Sequence, residues 1–190
     1  MISVIMSVYN DENNLAFAIE SILNQSYKDF EFIIINDSSN DNSKNIILDF
    51  QKKDKRIVYL ENQKNEGLAK SLNKAISISK GKFIARMDSD DICMMDRFKI
   101  QIEFLENNTD MDVLATGAIL IDKENKKIGN VLMPRTDKEI KKVLIYKNSI
   151  IHPSVIIKKY VLIELGGYNP SFLKAQDLDL WVRLANNGKN

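Results

Sequence analysis

The sequence predicts an α/β fold built on a doubly wound, mostly parallel sheet with helices on both faces. Three features of the chain support it: apolar runs of strand length, amphipathic segments of helix length between them, and polar clusters directly after several strands. Strands that are covered on both faces are apolar almost throughout, and right-handed strand–helix–strand units assemble into such a sheet. We therefore expect residues 1–190 to form one domain.

The predicted elements follow one another along the chain. Ile2–Val8 is a β-rich apolar run, and the apolar stripe between Leu15 and Leu23 indicates a helix after it, with Asp11 as a candidate cap. The alternation continues for the first 110 residues. It predicts strands at residues 30–35, 56–61 and 83–87, and helices near 42–53, at 68–79 and around Phe98, Ile102 and Leu105.

Composition excludes several classes of protein. A chain that is 44% hydrophobic and 28% charged has the makings of a core and is not a disordered tail. Lys and Arg total 27 against 26 for Asp and Glu, so there is no basic footprint for nucleic acid. One cysteine, Cys93, excludes a disulfide scaffold, and no apolar run is long enough to span a membrane. We expect a cytoplasmic protein with at most peripheral contact at the inner face of the membrane.

Three acids follow the fourth predicted strand. Asp88, Asp90 and Asp91 come directly after an apolar run, and carboxylates this close repel unless a proton or a cation lies among them. Mg²⁺ or Mn²⁺ needs only one or two carboxylates when the substrate supplies phosphate oxygens. A calcium EF-hand is not matched, because its glycine and terminal glutamate are missing. The alternative is that these acids are solvated and cap the following helix.

Two more polar clusters follow strands, at residues 7–10 and 36–39. Ligands of doubly wound sheets bind beyond the carboxyl ends of the strands, so these clusters favour a pocket over ordinary polar loops. Neither a Gly-x-Gly-x-x-Gly nor a Gly-Lys-Ser/Thr motif is present, which argues against a Rossmann dinucleotide site and a P-loop. A metal at the acid cluster would neutralise phosphate instead, and that points to a diphosphate-bearing nucleotide.

Five segments together resemble the donor half of the family 2 glycosyltransferases, whose nucleotide-sugar-binding fold is called GT-A. In order, they are SVIMSVYN (3–10), AIESILNQSY (18–27), IIINDSS (33–39), NEGLA (65–69) and DSDD (88–91). The resemblance covers nearly the whole chain. It implies a donor half at residues 1–110 and a partial acceptor half at 111–190, which we expect to lack its C-terminal part.

The resemblance also implies roles for individual residues in donor binding. Ser7, Val8 and Tyr9 would line the base and ribose pocket, with Tyr9 flat against uracil, and Asp37 would contact the edge of the base. The alternatives are that Tyr9 is a core aromatic and that Asp37 starts an Asx-turn. Asp90, with Asp88 and Asp91, would hold the metal that bridges the two phosphates. The remaining residues assigned to donor binding are Asn65, Gly67, Asp88 and Ser89.

In the second half, Asp177 resembles the catalytic base of the family, which opens a helix beside the acceptor. The alternative is an ordinary helix N-cap. Gln176 stands where the family usually has Glu, which leaves the acceptor contacts open. The residues from 166 to 169 resemble a loop that borders the donor sugar, with a helix-ending turn as the alternative. We expect the lone His152 to be structural.

One more departure concerns positive charge near the phosphates. Leu72 stands where many members of the family have Arg. Lys70 or Lys74 could supply the missing charge, although solvated helix lysines are the simpler interpretation.

These roles imply an inverting transfer of sugar from a UDP-sugar to a hydroxyl of a glycan or glycolipid, with Mn²⁺ or Mg²⁺, in bacterial surface polysaccharide or lipo-oligosaccharide synthesis. Two alternatives stay open: a nucleotidyltransferase, and a non-catalytic sugar-nucleotide or glycan-binding module. The first usually needs a basic Gly-rich loop after its first strand, and residues 9–12 are acidic instead. Turnover of a UDP-sugar would separate an enzyme from the second.

Overall fold

The computed structural model describes all 190 residues of the chain. The strands are β1 (Ile2–Val8), β2 (Phe30–Asn36), β3 (Ile57–Glu61), β4 (Phe83–Arg86), β5 (Val113–Leu114), β6 (Ala118–Ile121), β7 (Lys127–Val131) and β8 (Ile156–Lys158). The helices are α1 (Leu15–Leu23), α2 (Ser43–Lys53), α3 (Leu68–Ile78), α4 (Arg97–Asn107), α5 (Asp137–Leu144), α6 (Lys159–Glu164) and α7 (Gln176–Asn186). A short 3-10 turn covers His152–Ser154.

Six of the strands form one mixed sheet in the order β3-β2-β1-β4-β8-β5. The first four in this order are parallel, whereas β8 runs antiparallel to both β4 and β5. Strands β6 and β7 form a separate antiparallel pair. The predicted α/β fold with a mostly parallel sheet is therefore confirmed.

The core lies on both faces of the sheet. One cluster packs α1, α2 and α4 against the sheet, and it takes in Val4, Met6 and Val8 of β1. The other cluster packs α3, α6 and α7 against the opposite face, where Ile5 of β1 points. Because successive residues of a strand face opposite sides, burial on both sides explains why β1 is apolar nearly throughout.

The parallel strands bring their carboxyl ends to one edge of the sheet. In the register of the sheet, Val8 of β1 lies beside Asn36 of β2, and Ile5 lies beside Arg86 of β4. The loops that follow these three strands therefore meet, as predicted. None of the helices combines the length and the apolar character that a membrane span requires.

The start of α1 differs from the prediction. Its N-cap is Asn14, and no side chain caps the helix. The backbone carbonyl of Asp11, not its carboxylate, accepts from the Leu15 N–H at 3.1 Å. The Asp11 carboxylate instead accepts from the Asn14 side chain at 2.7 Å. The prediction of Asp11 as a side-chain cap was wrong, because its carboxylate bonds the Asn14 amide group and leaves the helix N–H groups uncapped.

Candidate active site

The loops after β1 and β2 are joined by hydrogen bonds at the edge of the sheet. The Asn10 N–H donates to Ser39 Oγ at 3.0 Å, and the Asn40 N–H donates to Asn10 Oδ1 at 2.7 Å. The Asp11 N–H adds a bond to Ser43 Oγ at 3.1 Å. Asn10 has a φ of 53°, in the left-handed region that asparagine tolerates better than most residues. The loops after β1 and β2 are therefore held together by hydrogen bonds between residues about 30 positions apart in the chain.

The three residues predicted for the base pocket differ in accessibility. Tyr9 is 49% exposed, which rules out the alternative that it is a core aromatic. Ser7 is half-buried. The Val8 side chain, in contrast, is fully buried in the core, and its carbonyl accepts from the Asp37 N–H at 2.8 Å. The prediction that Val8 lines the pocket therefore does not hold for its side chain, because β1 directs that side chain into the core.

Asp37 is almost completely buried, with 1% of its surface exposed. Its Oδ1 accepts from Asn62 Nδ2 at 2.7 Å and from the Glu66 N–H at 2.9 Å, and its Oδ2 accepts from the Gly67 N–H at 2.8 Å. The carboxylate thereby fixes the loop that leads into α3. An Asx-type turn does occur here, but Asn36 makes it by accepting from the Ser39 N–H at 3.1 Å.

The segment before α3 holds the next two predicted donor residues. Gly67 is the N-cap of α3 with a φ of 87°, a conformation that favours glycine. Its N–H is already bonded to Asp37. Asn65 is exposed and its side chain has no hydrogen bond within the protein. The Asn65 side chain is therefore free to contact a ligand, whereas the Gly67 N–H is already occupied.

The residues considered as substitutes for a missing arginine occupy different environments. Leu72 is fully buried in the core. Lys70 is exposed, whereas Lys74 donates to Asn62 Oδ1 at 2.7 Å. Because Asn62 in turn donates to Asp37, the half-buried Lys74 ammonium is bonded to a polar network whose other members are buried. The interpretation of Lys74 as a solvated lysine was therefore wrong.

The three acids after β4 form one cluster. Carboxylate oxygens of Asp88, Asp90 and Asp91 lie within 4.8 Å of one another. Burial, followed by the charges of Asp88 and Asp90, raises the pKa of Asp91 to about 6. Burial and then Asp88 also raise the pKa of Asp90. The cap part of the alternative fails, because the N-cap of α4 is Asp96 and it makes no side-chain cap bond, whereas Asp90 is exposed, as the solvated part of that alternative expects.

The cluster fits a small divalent cation. Oxygen ligands on opposite sides of Mg²⁺ are about 4.2 Å apart, so small side-chain rotations would bring these carboxylates to one ion. A bound cation would also relieve the mutual repulsion that adds to burial in raising the pKa values of Asp90 and Asp91. Ser89, between the acids, is half-buried.

Two arginines lie beneath the acid cluster. Arg86 is 1% exposed, pairs with the Asp88 carboxylate and donates to the Met87 carbonyl, while its Nε has no partner. Arg97 donates from Nη2 to the carbonyls of Arg86 at 3.1 Å and Val155 at 3.2 Å. Asp88 is therefore anchored by the buried charge of Arg86, whereas both arginines act on Asp91 through their charge alone.

Asp177 is the second residue of α7, whose N-cap is Ala175. The alternative that Asp177 is the N-cap is therefore wrong. Its Oδ2 accepts from Asn148 Nδ2 at 2.6 Å, so the carboxylate is turned toward another segment of the chain. The helix itself is anchored by Leu180, Trp181 and Leu184, each no more than 4% exposed. This packing holds the first turn of α7 in place.

The turn at residues 166–169 connects α6 to this region. Gly166 and Gly167 both have positive φ, at 75° and 71°, and they end α6, as the helix-ending alternative predicts. Arg183 of α7 donates to the carbonyls of Leu165 and Gly167, each at 2.8 Å. The turn is therefore fastened to the same helix that carries Asp177.

His152 is structural, as predicted. It is 8% exposed, and its Nε2 lies 2.8 Å from Tyr168 Oη. Burial, and then the charge of Arg86, places the pKa of His152 well below its ordinary value, so the ring is neutral. Burial raises the pKa of Tyr168, and the charges of Asp177 and Asp88 add to this rise. Tyr168 therefore lies within electrostatic reach of both the acid cluster and Asp177.

Comparison with known proteins decides the family. The sequence profile described as Glycosyl transferase family 2 matches residues 3–166. The chain belongs to this family. It is 41% identical, over its whole length, to an uncharacterized glycosyltransferase of Methanocaldococcus jannaschii. It is also 35% identical, again over its whole length, to the O-antigen biosynthesis glycosyltransferase WbnJ of Escherichia coli.

A solved structure confirms the GT-A fold of this glycosyltransferase domain. TarS of S. aureus, in complex with UDP-GlcNAc, superposes on 96% of the chain with a TM-score of 0.79 at 19% sequence identity. Its identity is too low to show more than the fold. The chain spans 66% of the M. jannaschii protein, 74% of WbnJ and 52% of the TarS chain.

Several contacts in this glycosyltransferase domain escape the sequence patterns. The sequence does indicate that Arg86 forms an ion pair, because a charged residue at the end of an apolar strand must find a partner when it is buried. No sequence pattern indicates the contacts of Asn62 with Asp37 and of Asn148 with Asp177, since these partners lie 25 and 29 residues away in the chain. Asp177 lies outside the residues matched by the family profile, so its role rests on geometry and resemblance.

Proposed function

We propose that this domain binds a UDP-sugar and transfers the sugar, with inversion, to a hydroxyl group of a glycan or glycolipid acceptor. The observation that carries the proposal is the cluster of three carboxylates at the edge where β1, β2 and β4 end. Membership of the family favours transfer of a sugar over transfer of a nucleotide. The likeness to an O-antigen enzyme supports a role in bacterial surface polysaccharide or lipo-oligosaccharide synthesis.

In this proposal Asp90, with Asp88 and Asp91, holds Mn²⁺ or Mg²⁺. When bound, such an ion neutralises the diphosphate and stabilises the charge that develops on the leaving group. The protein's own contribution is the placement of the carboxylates. Arg86 fixes Asp88 through a buried ion pair, and it also lowers the pKa of Asp90 against the stronger effects of burial and Asp88.

The nucleoside is received by the loops after β1 and β2. The exposed ring of Tyr9 offers a face on which uracil stacks, and Ser7 lies on the same strand end. Asp37 is 1% exposed and orients this region through its bonds to the loop before α3; the contact with the edge of the base is assigned to it on the basis of resemblance alone. Asn65 and Ser89 are assigned to the donor on the basis of resemblance. The predicted cytoplasmic location with peripheral membrane contact stays a prediction.

Asp177 is the proposed base. It accepts the proton of the acceptor hydroxyl as the acceptor oxygen bonds to the anomeric carbon. The bond between that carbon and the diphosphate oxygen breaks, and its electron pair leaves with UDP. Attack on the face opposite the leaving group inverts the anomeric centre. The geometry supports this role because the carboxylate is fixed on a packed helix by one hydrogen bond.

Calorimetric titration of UDP tests the donor site. We expect UDP to bind with Mn²⁺ present and not in excess chelator, with GDP binding more weakly. Asp90→Ala should abolish the binding that requires the metal, whereas Asp110→Ala, which removes an exposed carboxylate with no hydrogen bond, should not. Equal binding in chelator or by Asp90→Ala would contradict the metal site, and tighter GDP binding would contradict the choice of donor.

The same preparation distinguishes an enzyme from a binding module. We expect UDP to be released from a UDP-sugar, by transfer to an added acceptor or by hydrolysis. Binding of UDP without release of UDP from any UDP-sugar or acceptor mixture would favour the non-catalytic alternative.

A further inference from the structure

The amide group of Asn148 is the protein group that holds Asp177. Asn148 lies in the loop between α5 and the 3-10 turn, and its Nδ2 is 2.6 Å from Asp177 Oδ2. Its Oδ1 accepts from the Ile150 N–H at 3.1 Å. An N–H group can only donate, and an ionised carboxylate can only accept. The Asn148 amide therefore has one satisfactory orientation, with its nitrogen toward Asp177.

The loop that carries Asn148 is itself held in place. Ser149 is 1% exposed, and its Oγ donates to the Ile140 carbonyl of α5 at 3.3 Å. Two residues further on, the Ile151 carbonyl accepts from Ser154 Oγ at 2.8 Å. Asn148 is thus presented by a segment tied to α5 on one side and to the 3-10 turn on the other.

No neighbour on α7 provides an equivalent contact. Gln176, which stands where the family usually has Glu, is 8% exposed and makes no hydrogen bond to Asp177. The Asp177 carboxylate also makes no cap bond to its own helix. Asn148 accordingly provides its one hydrogen bond within the protein, and Oδ1 has none.

We propose that Asn148 is a positioning residue that occupies Oδ2 of Asp177 and thereby makes Oδ1 the oxygen that receives the acceptor proton. The proposal rests on the base role of Asp177 under the proposed function. The proton moves from the acceptor oxygen to Oδ1 while that oxygen bonds to the anomeric carbon and UDP departs with the electron pair of the broken bond. We assign Asn148 no contact with either substrate, so its effect passes through Asp177.

A double-mutant cycle tests this assignment, with release of UDP from a UDP-sugar as the rate. Asp177→Asn should lower kcat by about 10²–10⁴-fold. Asn148→Ala should lower kcat by about 10- to 100-fold, since it removes a hydrogen bond to a charged group, while UDP affinity stays unchanged. In the Asp177→Asn background, Asn148→Ala should change kcat by no more than about twofold. Asn187→Ala removes an exposed amide bonded to the Arg183 carbonyl and serves as the matched control, with kcat unchanged.

The outcomes separate the two proposals. If Asp177→Asn is slow but Asn148→Ala has the wild-type rate, the positioning role is wrong and the base role stands. If Asn148→Ala slows both backgrounds equally, its effect is structural and the assignment is overturned. If Asp177→Asn has the wild-type rate, both proposals fall. Should Asn148→Ala fail to fold, Asn148→Asp keeps the shape but replaces the donor with an oxygen. It should be slow in the wild-type background alone, and a wild-type rate would overturn the assignment.

Discussion

Residues 1–110, which we propose form the donor half, and residues 111–190, the second half, present their strands differently. In β1 and β2 nearly every residue is buried, whereas in the β6–β7 pair most residues are exposed. The first half supplies four neighbouring strands of the sheet, β3-β2-β1-β4, and β8 and β5 of the second half complete it, whereas the β6–β7 pair lies outside that sheet. The loops of the proposed donor site therefore follow strands that are tightly packed on both faces.

In the second half, space is left open beside α5 and α7, although the buried face of α7 is well packed. A cavity of about 390 Å³ lies between α5, α7 and the segment after β7, and hydrophobic residues make up most of its lining. Leu132 and Tyr146, in the same half, are 79% and 84% exposed. We conclude that a change in backbone or side-chain volume will disturb the packing at the buried strands β1 and β2 more than at the exposed β6–β7 pair. Matched substitutions in the two halves can test this difference.

A pair of glycines should show the largest contrast. A Cβ on Gly81, before β4, would lie 2.5 Å from the Ser3 nitrogen and 2.7 Å from the Ile2 carbonyl carbon of β1. These backbone atoms cannot move aside without disturbing the sheet, so Gly81→Ala should lower the free energy of unfolding by about 3 kcal/mol. A Cβ on Gly129 of β7 would meet Leu120 Cδ1 at an ordinary 3.5 Å. Gly129→Ala should change the free energy of unfolding by less than about 0.5 kcal/mol.

Urea unfolding of both variants measures this contrast. Equal losses of stability would show that the second half is packed as tightly as the donor half, and the comparison would then fail. A small loss of unfolding free energy for Gly81→Ala would show that the backbone of β1 can shift to accommodate the added methyl group.

A pair of asparagines should give a smaller contrast. Asn62 is 3% exposed, donates to Asp37 at 2.7 Å and to Ser71 Oγ at 2.9 Å, and accepts from Lys74 at 2.7 Å. Asn62→Ala leaves these groups short of a partner, and we expect a loss of about 2 kcal/mol in the free energy of unfolding. Asn130→Ala, on exposed β7, removes a side chain without hydrogen bonds and should cost less than about 0.5 kcal/mol. Thermal unfolding compares the two, and a similar loss for both would be contrary to the proposed rigidity of the donor side.

The same contrast explains how much of the fold the sequence predicts. The strand predicted at residues 30–35 is observed as Phe30–Asn36, and the one predicted at 83–87 as Phe83–Arg86. Such strands are easily recognised because burial on both faces makes them apolar without interruption. The antiparallel insertion of β8 between β4 and β5 was not predicted, since β8 pairs with β4 across more than 70 residues and with β5 across more than 40, and such distant pairing leaves no local pattern.

For the candidate site, the sequence indicates which strand ends carry polar residues, but it does not indicate which side chains contact one another. The acids after β4 and the exposed Tyr9 follow from strand ends and resemblance. That Val8 is buried, and that Asp37 is occupied by the loop before α3, depends on side-chain directions that only the packed sheet fixes. The bond from Asn148 to Asp177 likewise requires the fold of the second half.

The smallest effect concerns Asp91 and its dependence on pH. With chelator present, the folded protein holds the Asp91 proton up to a pKa of about 6, against an ordinary value of 3.8. Because the raised pKa favours the protonated folded state, this contribution to stability is complete below about pH 4 and is lost as the pH rises through 6. Asp91→Asn should therefore match the wild type at pH 4 and be more stable at pH 7 by about 1 kcal/mol, after allowance for solvent screening.

Thermal unfolding from pH 4 to pH 7 measures the Asp91 effect, with Asp110→Asn as the control for a change of net charge alone. Adding Mn²⁺ and UDP at pH 7 should reverse the order, because the wild type then gains the stability of a bound cation that Asp91→Asn holds less tightly. If Asp91→Asn is less stable than the wild type in chelator at pH 7, the carboxylate is satisfied by the protein alone. The donor edge would then not be a site that requires a cation, and its rigidity would serve only the fold.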